Sequence, residues 1–302
     1  MKLTNLIKNA AEKSGVTVAV AAAEDEEVLE AVIEAVNHRF SRFLLFGNQE
    51  KIEQILSEKG GYRAGHEALQ IVNSSTKEEA ARDAVKAVHA GEADVLMKGN
   101  IATSTILKAV LHKEYGLRTG NVLSHVAVFE VPDYNRFVIV TDAAMNIAPG
   151  LQEKVQILTN AVKVAHSIGI NVPKVAPIAA VEVVNPSMQA TLDAAVLTQM
   201  NNRGQIQNCI VDGPLALDNA ISNHAAEHKG ISSAVAGQAD ILLVPTIEVG
   251  NALYKSLVYF AKAEVGAVIA GASAPIVLTS RADSAKSKLY SLALAVCSAN
   301  NN

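Results

Sequence analysis

The 302-residue chain is 50% hydrophobic and 19% charged, with 18 glycines, 8 prolines and a formal net charge of −4. That balance excludes disorder, collagen and low-complexity sequence. With no basic tract it also excludes a general nucleic-acid binder, which needs a concentrated cationic face.

The length allows two or three domains of roughly 100–200 residues each, or one large one. Folding at this size buries about 75% of the unfolded surface, so no disulfide or metal staple is needed. Aromatic residues make up only 4% and tryptophan is absent. The core must therefore come from Ala, Val, Ile and Leu. Cys209 and Cys297 lie in no C-x-x-C spacing. They fit a reducing, cytosolic compartment and buried thiols.

Met1 to Gly15 reads as a polar helix without an apolar signal core. Val16 to Ala23 is an apolar, strand-like run, and Asp25 to Asn37 follows with helical spacing. Phe43 to Phe46 reads as a strand ending at Gly47, then a helix spans Gln49 to Lys59. A short strand is expected at Ala68 to Val72 and a helix at Lys77 to Gly91. Asp94 to Met97 is a strand running into Lys98, Gly99 and Asn100, with a helix from Thr103.

The period then changes. Ser124 to Glu130 and Phe137 to Val140, joined through Pro132, Asp133, Tyr134 and Asn135, predict an antiparallel hairpin. Beyond Asp142 the alternation resumes, with strands at Lys174 to Val181, Asn208 to Val211, Ile241 to Val244, Val268 to Ile269 and Pro275 to Thr279. The last helix runs from Ser284 to Ala299. The most apolar stretch, Val265 to Leu278, is too short to span a membrane and is broken by Gly266, Gly271 and Pro275.

Short apolar runs alternating with helices predict parallel sheets covered on both faces. About ten strands exceed one comfortable core. The expected fold is α/β, with two three-layer lobes and a cleft between them. The crossovers are expected around Pro132 to Pro149 and Gly266 to Ala274. That assigns 1–142 with about 272–302 to one lobe and about 143–271 to the other. Ligands in such folds sit at strand carboxyl ends or between lobes. The high apolar content also fits a homodimer or higher homo-oligomer.

Several chemistries drop out. The chain has no G-x-G-x-x-G after a strand, no Walker loop, no H-E-x-x-H and no G-x-S-x-G elbow. His224 and His228 share a helical face, but two ligands without a third favour a solvated face over a metal site. His125, inside an apolar run, reads as a satisfied core histidine.

Three strand ends carry polar residues. At Lys98-Gly99-Asn100-Ile101-Ala102-Thr103 a lysine, a close-approach glycine and a helix N-terminus compose an anion cradle. The same residues read equally as a capped turn with a surface lysine. Asp142 ends a strand, and Asn146 lies ahead of Pro149, which suits a cleft site and equally an interlobe hinge. At Thr279-Ser280-Arg281-Ala282-Asp283-Ser284, Arg281 can clamp a phosphate and Ser280 can donate to an oxyanion. Asp283 can serve as a general base, and Asp283 or Ser284 is expected to cap the helix. A further segment, Gly250-Asn251 with Tyr254 and Lys255, reads as a helix start facing a cleft.

Taken in order from Asp94 to the C-terminus, these stretches resemble the phosphate acyltransferase family of phosphate acetyl- and butyryltransferases. The resemblance covers Lys98-Gly99-Asn100, Asp142 through Asn146, Asp212-Gly213-Pro214-Leu215, Val235-Ala236-Gly237, Gly250-Asn251, Tyr254-Lys255 and Ser280-Arg281. The Thr279-to-Ser284 pattern and Lys98 are more similar to the butyryl members. The chain departs from the acetyl members near Ser287, where those carry a catalytic aspartate.

The resemblance implies an isocitrate dehydrogenase-like fold without the nucleotide fingerprint. It implies butyryl-CoA + phosphate ⇌ butyryl phosphate + CoA, through a tetrahedral intermediate. Coenzyme A and inorganic phosphate are substrates, with no covalently bound cofactor, no metal, no nucleic acid and no membrane partner. Ser280, Arg281 and Asp283 form the implied catalytic group. Lys98, Gly99, Asn100, Thr103, Asp142, Asn146, Asn251, Tyr254 and Lys255 form the implied substrate-binding group. A butyrate kinase is the implied metabolic partner. Acetyl or branched-acyl transfer is the alternative within the class, and acyl-CoA binding without catalysis is the alternative outside it.

Overall fold

A computed structural model of the protein describes residues 2–13, 15–60, 66–279 and 283–299. The chain forms two compact units, Lys2–Asn121 with Val265–Asn302, and Val122–Glu264.

The first unit begins with α1 (Leu3–Glu12), β1 (Thr17–Ala21), α2 (Glu26–Asn37), β2 (Arg42–Gly47) and α3 (Gln49–Gly60). It continues with β3 (Leu69–Asn73), α4 (Lys77–His89), β4 (Val95–Lys98) and α5 (Thr103–Val110). The second unit holds β5 (Ser124–Glu130), β6 (Phe137–Thr141), α6 (Leu151–Ser167), β7 (Lys174–Pro177) and α7 (Gln189–Asn202). It also holds β8 (Ile210–Val211), α8 (Leu217–Ile221), α9 (Asn223–His228), β9 (Ile241–Leu243) and α10 (Ile247–Tyr259). The chain returns through β10 (Glu264–Ala270) to β11 (Ile276–Val277) and α11 (Ala285–Ser298).

The first unit has strand order β3-β2-β1-β4-β11-β10. All pairs but the last are parallel, with Ala21 opposite both Phe46 and Lys98, and Val277 opposite Met97. In β1, Val18 through Ala21 are all fully buried. A parallel strand covered on both faces has no wet side, so its sequence is continuously apolar rather than alternating. Helix starts follow from capping. Asp25 accepts from the Val28 amide at 3.1 Å and Thr76 from the Glu79 amide at 3.1 Å, each satisfying an amide the helix itself leaves open.

The second unit has order β5-β6-β9-β7-β8. The β5–β6 hairpin is antiparallel, with Glu130 opposite Phe137, and Asp133 takes φ 61° in its turn. The remaining pairs are parallel, with Leu243 of β9 opposite Thr141 and Pro177. Between α6 and α7 the Lys154 ammonium meets the Asp193 carboxylate at 2.5 Å, both largely buried.

Three details differ from the sequence reading. The glycine-rich return is a hairpin, since Ile269 of β10 pairs antiparallel with Ile276 of β11. The chain changes unit at 121/122 and 264/265, against the marks at 142/143 and about 271/272. The parallel pairing of β6 with β9 keeps the β5–β6 hairpin in the unit of Val122–Glu264. The core also uses its few aromatics: Tyr290, Phe40, Phe43 and Phe129 are among the largest fully buried side chains. Among the described residues no helix is long and apolar enough to cross a membrane.

Candidate functional site

Parallel strands within one unit end at one edge, so the side chains that follow them collect there. In the first unit this edge carries Lys98, Gly99, Asn100 and Thr103. Lys98 closes β4 and is only 5% exposed, which removes the surface-lysine reading. Its ammonium donates to the Gly99 carbonyl at 3.2 Å.

Beyond β4 the pairing with β1 continues. The Gly99 amide donates to Ala21 O at 2.8 Å and the Asn100 amide to Ala22 O at 2.7 Å. A Cβ on Gly99 would fall on the carbonyl of Ala22 and within 2.9 Å of Ala21 O. Glycine is thus required by the neighbouring backbone itself. The Asn100 side-chain amide donates to Glu24 O at 3.3 Å and ties down the β1–α2 turn. Thr103 is exposed at the first position of α5. The α5 N-cap is Ala102, which supplies no side-chain acceptor, so the first-turn amides there are not side-chain capped.

In the second unit Asp142 follows β6 and is 3% exposed. One carboxylate oxygen accepts from the amides of Ala144 at 2.8 Å and Met145 at 3.0 Å. The other accepts from the Asn146 amide at 3.2 Å and the Asn146 side chain at 2.6 Å. Asn146 also donates to Leu123 O at 2.8 Å. These charge-assisted bonds wrap residues 143–146 around one carboxylate.

Helix α10 lies against this loop. Gly250 is its buried residue, and a Cβ there would meet Asp142 O at 2.5 Å and Ala143 Cα at 2.9 Å. The sequence reading put Gly250 at the helix start, but the helix begins three residues earlier at Ile247. The glycine is there for close approach. Asn251 is exposed and reaches toward Ala143 O at 3.5 Å. Tyr254 packs edge-on against Phe129 and His125, with centroids 5.2 and 5.8 Å away. Lys255 is exposed one turn beyond Asn251.

Loop and helix line an open, solvent-facing pocket of about 640 Å³ formed by Ala143, Ala144, Ile247, Glu248, Asn251, Ala252 and Lys255. Glu248 is held below the usual carboxylate range, first by its own backbone amide and then by the Thr246 hydroxyl. It is therefore an anion at neutral pH.

Ser280 and Arg281 lie outside the described residues. Ser284 caps α11 by accepting from the Ser287 amide at 3.2 Å, so of the two expected cap residues, Asp283 and Ser284, the helix uses Ser284. The Asp283 carbonyl accepts from the buried Lys288 ammonium. Among the described residues no three His, Cys, Asp or Glu side chains group as metal ligands. His224 and His228 stand with ring centroids 6.2 Å apart.

The structure thus gathers Asp142, Asn146, Asn251, Tyr254 and Lys255 in one unit, and Lys98, Gly99, Asn100 and Thr103 at a strand edge of the other. Sequence reasoning missed Ala143, Ala144, Ile247, Glu248 and Ala252. Four of these are apolar and carry no chemical signature, and Glu248 is one exposed carboxylate among many. The available signal was Gly250, a glycine inside a helical pattern, which marks a close approach.

Residues 63–296 match the family model described as phosphate acetyl/butaryl transferase. The chain belongs to that family. It is an acyltransferase. It is 61% identical over 98% of its length to a probable phosphate butyryltransferase of Bacillus subtilis, covering 98% of that protein. It is 50% identical over 94% of its length to a phosphate butyryltransferase of Clostridium beijerinckii, covering 93% of it. Among solved structures it is similar to a branched-chain phosphotransacylase from Enterococcus faecalis, with a TM-score of 0.82 and 38% identity. That match covers 94% of this chain and 99% of the other.

Proposed function

We propose that the chain interconverts butyryl-CoA plus phosphate with butyryl phosphate plus CoA. The observation that carries this reading is near full-length identity to butyryltransferases together with a largely apolar pocket beside Lys255. A phosphate oxygen attacks the thioester carbonyl carbon, and a tetrahedral oxyanion forms. It collapses with C–S cleavage, and the departing thiolate takes up a proton. Catalysis rests on holding both reactants together and stabilising the oxyanion.

In this reading Arg281 and Lys98 hold phosphate, and burial of Lys98 strengthens its field there. Ser280 stabilises the oxyanion or thiolate, and Asp283 removes the thiol proton in the reverse direction. Gly99, Asn100, Asp142 and Asn146 serve through the turns they hold. Thr103 offers a helix N-terminus, Asn251 and Tyr254 orient the substrate, and Lys255 pairs with a CoA phosphate. Coenzyme A and phosphate are consumed and released, without a bound cofactor. The enzyme works in the cytosol as a homodimer or larger homo-oligomer, and a butyrate kinase takes the acyl phosphate onward. Acetyl transfer is the second reading, favoured by the breadth of the matching family model.

The test is a panel of acyl-CoAs, acetyl through hexanoyl plus isobutyryl, following thiol release with phosphate and then arsenate. Turnover should peak at four carbons and run irreversibly with arsenate. Replacing Lys98 with Met should lower turnover roughly 100-fold, the scale for losing one preorganised donor. A two-carbon peak favours acetyl transfer, and no thioester turnover overturns both readings.

A further inference from the structure

The pocket on the unit Val122–Glu264 combines features that suit one end of the substrate only. Ile247, Asn251 and Lys255 repeat at four-residue intervals, and so do Glu248 and Ala252, so one face of α10 lines it. The opposite wall is Ala143 and Ala144, held in place by the Asp142 carboxylate. Four lining residues are apolar, and three of those are alanines. Glu248 puts a negative charge at the wall, which repels phosphate and favours an uncharged group.

We infer that the acyl group of the thioester lies between Ala143–Ala144 and Ala252, and that these alanines with Ile247 set which acyl chains are accepted. This rests on the acyltransfer reading above. Alanine is the smallest side chain that still presents a carbon wall, so the site keeps room for a four-carbon chain. The volume, about 640 Å³, exceeds what a straight four-carbon chain needs, so isobutyryl and valeryl groups fit the same space. Lys255 stands a turn beyond Ala252, where it meets the anionic part of the same molecule.

The decisive experiment measures kcat/KM for acetyl-, butyryl-, valeryl- and isobutyryl-CoA in the wild type, Ala252→Leu, Ala144→Val and Ile247→Ala. Crowding the wall beside the acyl chain by Ala252→Leu should lower the butyryl-to-acetyl ratio at least tenfold. That is the scale of discrimination a methylene or two provides in an apolar pocket. Ala144→Val should move the ratio the same way by a smaller factor. Ile247→Ala should move it toward valeryl. Far-ultraviolet circular dichroism and the Tm of each variant check folding. If Ala252→Leu does not fold, the opposite shifts expected of Ala144→Val and Ile247→Ala still decide the point. A wild type active on butyryl-CoA, with an unchanged chain-length ratio in folded variants, overturns the inference and leaves the acyltransfer reading standing. A wild type without thioester turnover overturns the acyltransfer reading instead.

Discussion

The turn after β4 and the loop after β6 begin alike, each with a buried charged residue at a parallel strand's carboxyl end and an asparagine close behind. They use these residues in opposite ways. After β4 the buried charge is the cation Lys98, and the turn is fixed by backbone: Gly99 and Asn100 are stitched to Ala21 and Ala22. After β6 the buried charge is Asp142, and it fixes the turn itself by accepting four hydrogen bonds. The first arrangement buries its cation, with the Lys98 ammonium donating to the Gly99 carbonyl. The second consumes its charge internally and leaves a wall of alanines. Similar polar motifs can therefore be fixed by neighbouring backbone or by a carboxylate of their own.

The sharpest way to break this comparison is a methyl group at Gly99. Its Cβ would meet the Ala21 and Ala22 backbone, which cannot swing aside. Gly99→Ala should cost about 3 kcal/mol. Gly91→Ala, at φ 77° with nothing within 4 Å, should cost only about 1–2 kcal/mol from its left-handed backbone. Urea midpoints measure both, and equal losses would mean that close approach is not what Gly99 serves. Each unit carries its own reporter, Cys297 in the first and Cys209 in the second. Burial raises both thiols to about 11, so roughly one in a thousand is thiolate at pH 8. In Gly99→Ala the thiol that becomes reactive first should be Cys297.

The next effect concerns the other loop. Asp142→Asn keeps the shape but loses the charge and places an amide where amides donate. Hydrogen bonds to charged groups contribute about 1.5–3 kcal/mol each, and the loop relaxes to recover part of that. The expected loss is about 2 kcal/mol, with a raised KM for butyryl-CoA because the Ala143–Ala144 wall moves. Isothermal unfolding and a KM measurement check the two parts. A stability loss with an unchanged KM would detach the pocket from the carboxylate.

Much of this was legible in the sequence, for physical reasons. Continuous apolar runs such as Val16 to Ala23 announce a strand buried on both faces. The helical runs from Asp25 and from Lys77 were legible too, while the capping roles of Asp25 and Thr76 came only with the structure. Lys98 and Asp142 were visible as charges at the ends of apolar strands. Their fates were not visible, because burial and partner amides depend on which strand lies alongside. Gly99 looked like a residue making room for a ligand, and only the β1 register shows that it makes room for Ala22. Ala143 and Ala144 stood in the sequence reading only as part of the run Asp142 through Asn146, and Ala252 was not singled out. An alanine at a pocket wall reads the same as an alanine in any core, and what distinguishes it is a neighbour more than a hundred residues away.

The smallest expected effect tests whether the charge at the pocket wall is held by the fold. The Glu248 amide and the Thr246 hydroxyl depress the Glu248 carboxyl below its ordinary 4.5. A depressed acid contributes stability above its unfolded value and loses it as pH falls through the folded one. Wild type should therefore be slightly more stable than Glu248→Gln at neutral pH. The gap in Tm should begin to close near pH 4.5 and vanish at lower pH, once the carboxyl is protonated in both states. The side chain lies at the open face of the pocket, so solvent screening keeps the gap small. A gap that is independent of pH would mean that Glu248→Gln acts through shape rather than charge. The anionic wall, which argues for an uncharged acyl group in the pocket, would then lose its support, while the alanine wall would keep its own.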